Sequence, residues 1–338
     1  MAAPLPVQPE TILRFTTAYQ QTALLMSACQ LRLFTHLDAT PLTATALAQR
    51  CGVPVRGLTR LANACVALGL LEKTSQGYCN TPVAATFLVQ GQPGYLGDLA
   101  GGFTAEQYVA WGQLSAAISQ DAPVRRQSGQ GVMSMSAAEI DNYVLGLYNI
   151  GLLAGRGLAE HVDLQARQQL LDVAGGSGAF AIRFAERYPA LRATVFDLPP
   201  VVERARQLIA THQLSQRIAV RAGNYLEDDF GRGYDVVLFS NVLQTESPDT
   251  CALLLRKALA ALDPGGQVVI SGIMCQPDRV SPPPQTLFSV LMYLYFPQGE
   301  AHPATEVSAW LRQVGFVNPT VLDLPPPSIN TVVLATKP

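Results

Sequence analysis

Apolar residues recur at helical spacing along the first part of the chain. Between residues 11 and 37 the positions Ile12, Phe15, Tyr19, Ala23, Met26, Leu31 and Phe34 follow one another at near-helical intervals, which stacks side chains along one face. The stretch from Thr43 to Pro82 then parses as a short helix and a turn at Gly52-Val53-Pro54. A second helix follows from Val55 to Leu68, with Gly69 placed to close it, and then a hairpin around Ser75–Gly77. A helix-turn-helix followed by a hairpin is a winged helix. Helical spacing returns over residues 103–168, through Tyr108, Trp111, Leu114 and Ile118 and then Ile140, Tyr143, Leu147 and Ile150. A break rich in Gly, Ser and Gln at Gln127–Ser136 divides this region and reads as a loop or lid hinge.

From Gln169 the pattern changes to short apolar runs alternating with helical ones. One strand ends at Asp172-Val173, a glycine turn follows (Gly175, Gly176, Gly178), and a helix runs to Tyr188-Pro189. A second strand ends on Asp197. Further strands are predicted at Arg217–Arg221, Tyr234–Ser240, Gln267–Ile273, Asn318–Asp323 and Thr331–Thr336, with helices at Val201–His212, Asp249–Leu262 and Thr305–Val314. Only a proline-rich loop (Pro325–Pro327) joins the last two strands, too short for a crossover, so they should pair antiparallel. The expected fold is α/β: a Rossmann-like sheet of about seven strands, mostly parallel, behind an all-α, winged-helix-like N-terminal domain. The expected boundaries are 1–100 for the winged-helix-like part, 101–165 for a helical linker and pocket region, and 166–338 for the sheet domain.

Composition narrows the functional classes. The chain of 338 residues is 49% hydrophobic and 14% charged, with a net charge of −2, which gives no electrostatic case for nucleic acid or an anionic membrane as partner. The winged helix raises DNA binding, but between Thr45 and Asn80 the basic residues are only Arg50, Arg56, Arg60 and Lys73, against Glu72. Its second helix is mostly Leu, Ala, Val and Cys, so a pairing role is expected instead: a homodimer that does not bind nucleic acid. The segment MAAPLPVQPE lacks the basic and apolar regions of a signal peptide, and no apolar run reaches the ~18 residues of a membrane span. A cytoplasmic location is the expectation. Cys29, Cys51, Cys65, Cys79, Cys251 and Cys275 show neither CxxC nor zinc spacing, so no metal site is expected.

A glycine turn after the first strand of such a sheet lets backbone N–H groups and a helix N-terminus approach a ligand closely. An acid at the end of the next strand, here Asp197, is placed to accept hydrogen bonds from ribose hydroxyls. Gly176-Ser-Gly178-Ala-Phe-Ala181 also satisfies the dinucleotide pattern GxGxxA. Three features favour S-adenosylmethionine (SAM) over NAD. Asp172 ahead of the glycines suits a cationic amino-acid cofactor better than a pyrophosphate. The sheet ends in an antiparallel pair rather than a second βαβαβ half. Leu262–Gly272, LDPGGQVVISG, places a turn before the fifth strand.

The stretches LAQRCG…GLTRLANACVALGLL, YCNTPVAATFL, LDVAGGSGAF, FDLPPVVERA, RAGNYLED, DVVLFSNVLQ and LDPGGQVVI, in this order, resemble the SAM-dependent O-methyltransferases of small molecules. These occur in plants and in bacterial natural-product pathways, and the resemblance covers nearly the whole chain. It implies a winged-helix-like dimerisation domain and a class I methyltransferase domain serving secondary-metabolite biosynthesis. It further implies that Gly175, Gly176 and Asp197 line the cofactor, with Gly178 and Leu198 adjoining. Asn224 and Tyr225 would flank the adenine and Ser240 the methionine moiety. Asn224 stands where the family usually has Asp, and Ser240 where many members have Lys.

The family's catalytic His is the larger departure, because its position holds Gln244. A free phenol ionises near pH 10, and an amide cannot remove its proton. The acid that orients the family's His is replaced by Gly272, and the family's third acid falls near Glu300–His302. Glu246 and His302 are the remaining candidates for a relocated base. The acceptor is therefore expected to be a nitrogen, a carbon or an activated oxygen of a small aromatic or polyketide-like metabolite, for which alignment with the sulfonium suffices. The alternatives are a SAM-binding enzyme catalysing a non-methylating step, such as a pericyclic or cyclisation reaction, and a winged-helix regulator. An aromatic pocket is expected from Phe288, Met292, Tyr293, Tyr295 and Phe296, joined by Trp111, Tyr143 and Tyr148.

Overall fold

The computed structural model describes residues 8–38, 40–124, 132–326 and 328–338. The first seven residues of the N-terminal segment, residues 127–131 of the glycine-rich break, and Pro327 of the proline loop lie outside these. The chain divides into two units, Met1–Gln107 and Tyr108–Pro338. The second unit thus begins well before residue 166: the helices expected as a separate linker belong to the body that carries the sheet.

In the first unit, helix α1 (Pro9–Gln30) ends where Arg32 takes a left-handed φ of 50°, and the short α2 (Leu33–His36) follows. The side chain of Thr43 accepts the Ala46 N–H and starts α3 (Ala44–Cys51), and α4 (Val55–Ala67) follows Pro54. The hairpin β1 (Leu71–Thr74) and β2 (Gly77–Asn80) pairs antiparallel. At its turn end Gly77 (φ 132°) passes so close to Leu42 that a Cβ would lie 2.2 Å from the Leu42 carbonyl oxygen. Only glycine fits there. Phe34, Leu47, Leu58, Cys65, Leu71 and Tyr78 bury a core between these elements, and α5 (Pro82–Phe87) completes the expected winged helix. The early part of the α1 stripe has no place in that core. Ile12, Leu13, Phe15 and Tyr19 are 64%, 59%, 59% and 54% exposed.

Helix α6 (Thr104–Trp111) crosses the unit boundary, and α7 (Leu114–Gln120) follows it. A capping box between Ser136 and Glu139 starts the long α8 (Ala137–His161). The sheet contains β3 (Gln169–Val173), β4 (Arg192–Asp197), β5 (Ile218–Ala222), β6 (Tyr234–Ser240), β7 (Leu262–Gly272), β8 (Val317–Asp323) and β9 (Thr331–Thr336). Its order is β5-β4-β3-β6-β7-β9-β8, parallel except for β9, which runs antiparallel to both neighbours. Val236–Phe239 of the central β6 are fully buried in an unbroken run, as a parallel strand covered on both faces requires. The covering helices are α9 (Ala179–Arg187), α10 (Pro199–Thr211), α11 (Pro248–Ala261) and α13 (Ala304–Val314).

Two elements depart from expectation. The strand expected from Gln267 begins at Leu262: Tyr234 pairs with Leu262 and Val236 with Gln267, so the LDPGG turn is taken up as an irregularity inside β7. A helix, α12 (Pro283–Tyr295), occupies a stretch for which only pocket residues were expected. Strand order reverses between β3 and β6, with β4 and β5 to one side and β7 to the other. The crevice outside the carboxyl ends of these strands is the switch point of an open α/β sheet.

Candidate active site

β3 delivers Asp172 and the turn Ala174–Gly178 to that crevice. The turn is tight: Ala174, Gly176 and Gly178 all have φ between 52° and 76°. A Cβ on Gly175 would lie 2.7 Å from the Asp172 carboxyl carbon, so glycine there is forced by the carboxylate beneath it. Asp197, at the end of β4, clasps the turn. Its Oδ2 accepts the Gly176 N–H at 2.8 Å and its Oδ1 accepts the Leu198 N–H at 2.7 Å. Burial raises the Asp197 carboxyl to about 6 against those two hydrogen bonds. Asp172 is fully buried, and neither of its oxygens has a hydrogen-bond partner of good geometry. Burial first, and then the nearby Asp197, push its carboxyl up to about 7. An orphaned buried carboxylate is costly unless a cation completes it. Asp172 above a glycine cradle therefore fits a ligand carrying an ammonium group.

Beside Asp197 a cavity of about 500 Å³ is lined by Met133, Ser134, Leu198, Pro199, Gly223, Asn224, Glu227 and Asp228, a size suited to a nucleoside. Asn224 shapes its wall. Its side chain accepts the Leu226 N–H, and its own N–H goes to Asp228. Lys257, on α11, ties this loop from below, donating to the carbonyls of Tyr225, Leu226 and Asp228 at 2.8–2.9 Å. Tyr143 on α8 senses the same carboxylate: burial, then Asp197, raises its phenol to about 12.

At the end of β6, Ser240 and Asn241 lead into a single 3₁₀ turn, Leu243–Thr245, that carries Gln244. Gln244 is 7% exposed. Its Nε2 donates to Asn241 Oδ1 at 3.4 Å, and a Cβ added to Gly272 would lie 3.0 Å from its Oε1. No acid stands at Gly272 to orient a base. The space between Gln244, Gly272, Met274 and His302 is about 10 Å³, at or below the room for one water. The Tyr225 hydroxyl donates to Glu246 at 2.6 Å, and burial raises the Glu246 carboxyl against that bond. His302 is buried with Nε2 3.1 Å from the Glu246 carbonyl oxygen, a bond that only a protonated Nε2 makes. Its Nδ1 faces Glu300 Oε2 at 3.8 Å, and its ring meets Trp310 edge-on.

Among the expected pocket residues, Trp111, Tyr293, Tyr295 and Phe296 lie around one apolar cluster. Ala110 and Ala117 of α6 and α7 pack on Leu294 and Tyr295 of α12, with Trp111 against them. Met292 and Tyr295 are buried on the same helix, where Phe288 is half-buried. Tyr148 is placed elsewhere. Its hydroxyl is 2.7 Å from His212 Nε2, just past the far end of α10 from Leu198, and His212 Nδ1 meets Glu186 at 2.9 Å. With α10 spanning roughly 20 Å, the Tyr148 hydroxyl belongs to a polar chain at the end of that helix remote from Leu198.

Sequence reasoning missed Lys257, Asn241 and Asn330. Asn330 precedes β9, is 9% exposed, and donates to Ser271 at 3.1 Å and to Asn241 at 3.5 Å. Lys257 was findable as a cation among the apolar residues of α11. Nothing in the order of residues announces that Asn241 and Asn330 meet.

Two family models match the chain: an O-methyltransferase dimerisation domain over residues 13–90 and an O-methyltransferase domain over residues 111–317. Similar curated proteins include 3-hydroxy-5-methyl-1-naphthoate 3-O-methyltransferase of Streptomyces sahachiroi, 32% identical over 99% of this chain and 97% of that protein. The N,N-dimethyltransferase OxyT of Streptomyces rimosus is 30% identical over 80% of each. Among solved structures, human N-acetylserotonin methyltransferase in complex with SAM superposes with a TM-score of 0.89 at 23% identity, covering 100% of this chain and 99% of that one.

Proposed function

The chain belongs to the SAM-dependent O-methyltransferase family, and from that premise we propose that it methylates a small aromatic or polyketide-like metabolite without a protein base at Gln244. The cofactor site is carried by one observation: Asp197 clasping the glycine turn beside the orphaned Asp172, next to a cavity of nucleoside size. SAM supplies an electrophilic methyl group on a sulfonium. Asp172 offers a negative charge to its amino-acid end, Asp197 and Leu198 frame its ribose, and the Gly223–Asp228 loop, tied down by Lys257, walls its adenine.

Gln244 has no lone pair basic enough to remove a proton, Glu246 is engaged by Tyr225, and the Nε2 of His302 is turned to the Glu246 carbonyl oxygen. The acceptor must arrive as a nucleophile. The naphthoate 3-O-methyltransferase among the relatives supports an oxygen acceptor on an aromatic metabolite, and the N,N-dimethyltransferase supports a nitrogen acceptor. The exposed Leu13, Phe15 and Tyr19 on α1, within the dimerisation-domain match, and Ile12 just ahead of it support a homodimer formed through the N-terminal half.

Calorimetry should show SAM and S-adenosylhomocysteine binding and NAD not binding. Tight NAD binding with no heat from SAM would overturn the cofactor assignment. Turnover should release S-adenosylhomocysteine with a product heavier by one methylene, which a pericyclic or cyclisation reaction would not. Gln244→Ala should lower turnover by at most about tenfold, where loss of a general base would cost on the order of 10²–10⁴.

A further inference from the structure

Three buried polar side chains, Gln244, Ser271 and Asn330, and the exposed Asn241 form a string behind the acceptor side of the crevice. Asn330 has two amide hydrogens, one directed to Ser271 Oγ (3.1 Å) and the other to Asn241 Oδ1 (3.5 Å). Asn241 Oδ1 also faces the Gln244 amide nitrogen, at 3.4 Å. The backbone contributes as well. Asn241 is held at a left-handed φ of 56°, with its N–H donating to the Ser271 carbonyl at 2.8 Å. Asparagine tolerates that conformation better than most residues. Ser271 is 1% exposed, so the string is anchored in the sheet between β6, β7 and the start of β9.

With one amide hydrogen given to Asn241, Gln244 has a second to offer. A donor fixed in that place favours an acceptor that carries negative charge. We propose that Asn241 and Asn330 are positioning residues that lock the Gln244 amide as a hydrogen-bond donor, and that the acceptor is an oxygen already ionised in solution: a phenol or enol in conjugation with a carbonyl. This rests on the methyl-transfer reading above. The proton leaves to water before the acceptor binds, and the Gln244 N–H holds the oxyanion. The oxygen lone pair forms the new bond to the methyl carbon as the carbon–sulfur bond breaks, its electron pair staying on the sulfur of the neutral thioether that departs. The donor aligns the oxygen, and alignment is the main requirement for an in-line displacement on a sulfonium.

The test uses the full-length protein with SAM and three probes that differ chiefly in hydroxyl acidity: 2-naphthol, 6-hydroxy-2-naphthonitrile and 6-hydroxy-2-naphthaldehyde. The pH at which each rate levels off should track the acidity of the probe, and at neutral pH kcat/KM should be larger for the more acidic pair. Asn241→Ala and Asn330→Ala should each lower kcat by no more than Gln244→Ala does, a few-fold up to about tenfold, with the KM for SAM unchanged. In a Gln244→Ala background the Asn330→Ala loss should largely vanish, because the residues act through one another. A common pH limb for all three probes, with His302→Asn abolishing turnover, would overturn the proposal in favour of a protein base. Additive losses in the double variant would overturn the string as a positioning device. Binding of SAM with no methylation of any probe would instead overturn the functional reading on which the proposal rests.

Discussion

Asp172 offers a sharp test, because the structure asks it to work against the fold. Its carboxyl is fully buried close to Asp197, with only the Ala181 backbone N–H set against that burial, and is pushed from 3.8 to about 7. For an acid raised in the folded state, folding binds a proton that the unfolded chain would release. The stability linked to that proton is full below about pH 4 and is lost as pH rises through about 7. Taking 1.36 kcal/mol per decade, the loss reaches at most about 4 kcal/mol above pH 7. Asp172→Asn keeps the shape and removes the charge. Without cofactor at pH 8 the variant should be more stable than the wild type, with a melting temperature higher by several degrees; near pH 4 the two should converge. Saturating SAM should invert the order at pH 8, because the cationic ligand compensates the carboxylate and gains nothing from an amide. Scanning calorimetry at pH 4 and pH 8, with and without SAM, reads all four corners. A variant no more stable than wild type at pH 8, or equally stabilised at both pH values, would refute the charge argument.

Two further predictions concern residues away from the crevice. Tyr148→Phe should leave turnover unchanged and lower stability by about 1 kcal/mol, because its hydroxyl serves the His212–Glu186 chain and not a substrate; a large change in KM for the acceptor, read in steady-state kinetics, would return it to the pocket. Leu13→Glu with Phe15→Glu should convert the dimer to a monomer by light scattering, with far-ultraviolet circular dichroism unchanged, because the exposed α1 side chains lose their apolar cover. A wild-type monomer at micromolar concentration would overturn the pairing role.

What the sequence disclosed and what it hid follow from the range of the interactions involved. The glycine turn, Asp172 and Asp197 were legible because their chemistry is local: a carboxylate under a glycine and an acid at a strand end announce themselves within one βαβ unit. The winged helix was legible for the same reason, down to Gly69 closing the second helix with a φ of 71°. Periodicity misled where it reports a helix face without saying what covers it. Ile12, Phe15 and Tyr19 obey the same spacing as buried Phe34 yet stand exposed. Tyr148 and Tyr143 pack on the same cluster with Leu198, yet the Tyr148 hydroxyl turns to His212 at the end of α10, a long-range contact that spacing along α8 does not announce. The α12 helix was hidden by its prolines, Pro282, Pro283 and Pro284, which occupy the cap and first turn, where a missing N–H costs nothing. The catalytic question depended on the longest separations. Gln244 read alone is an empty position. Read with Asn241 three residues back and Asn330, which is 89 residues from Asn241 along the chain yet 3.5 Å from it in the fold, its amide acquires a setting, and with that a choice of acceptor.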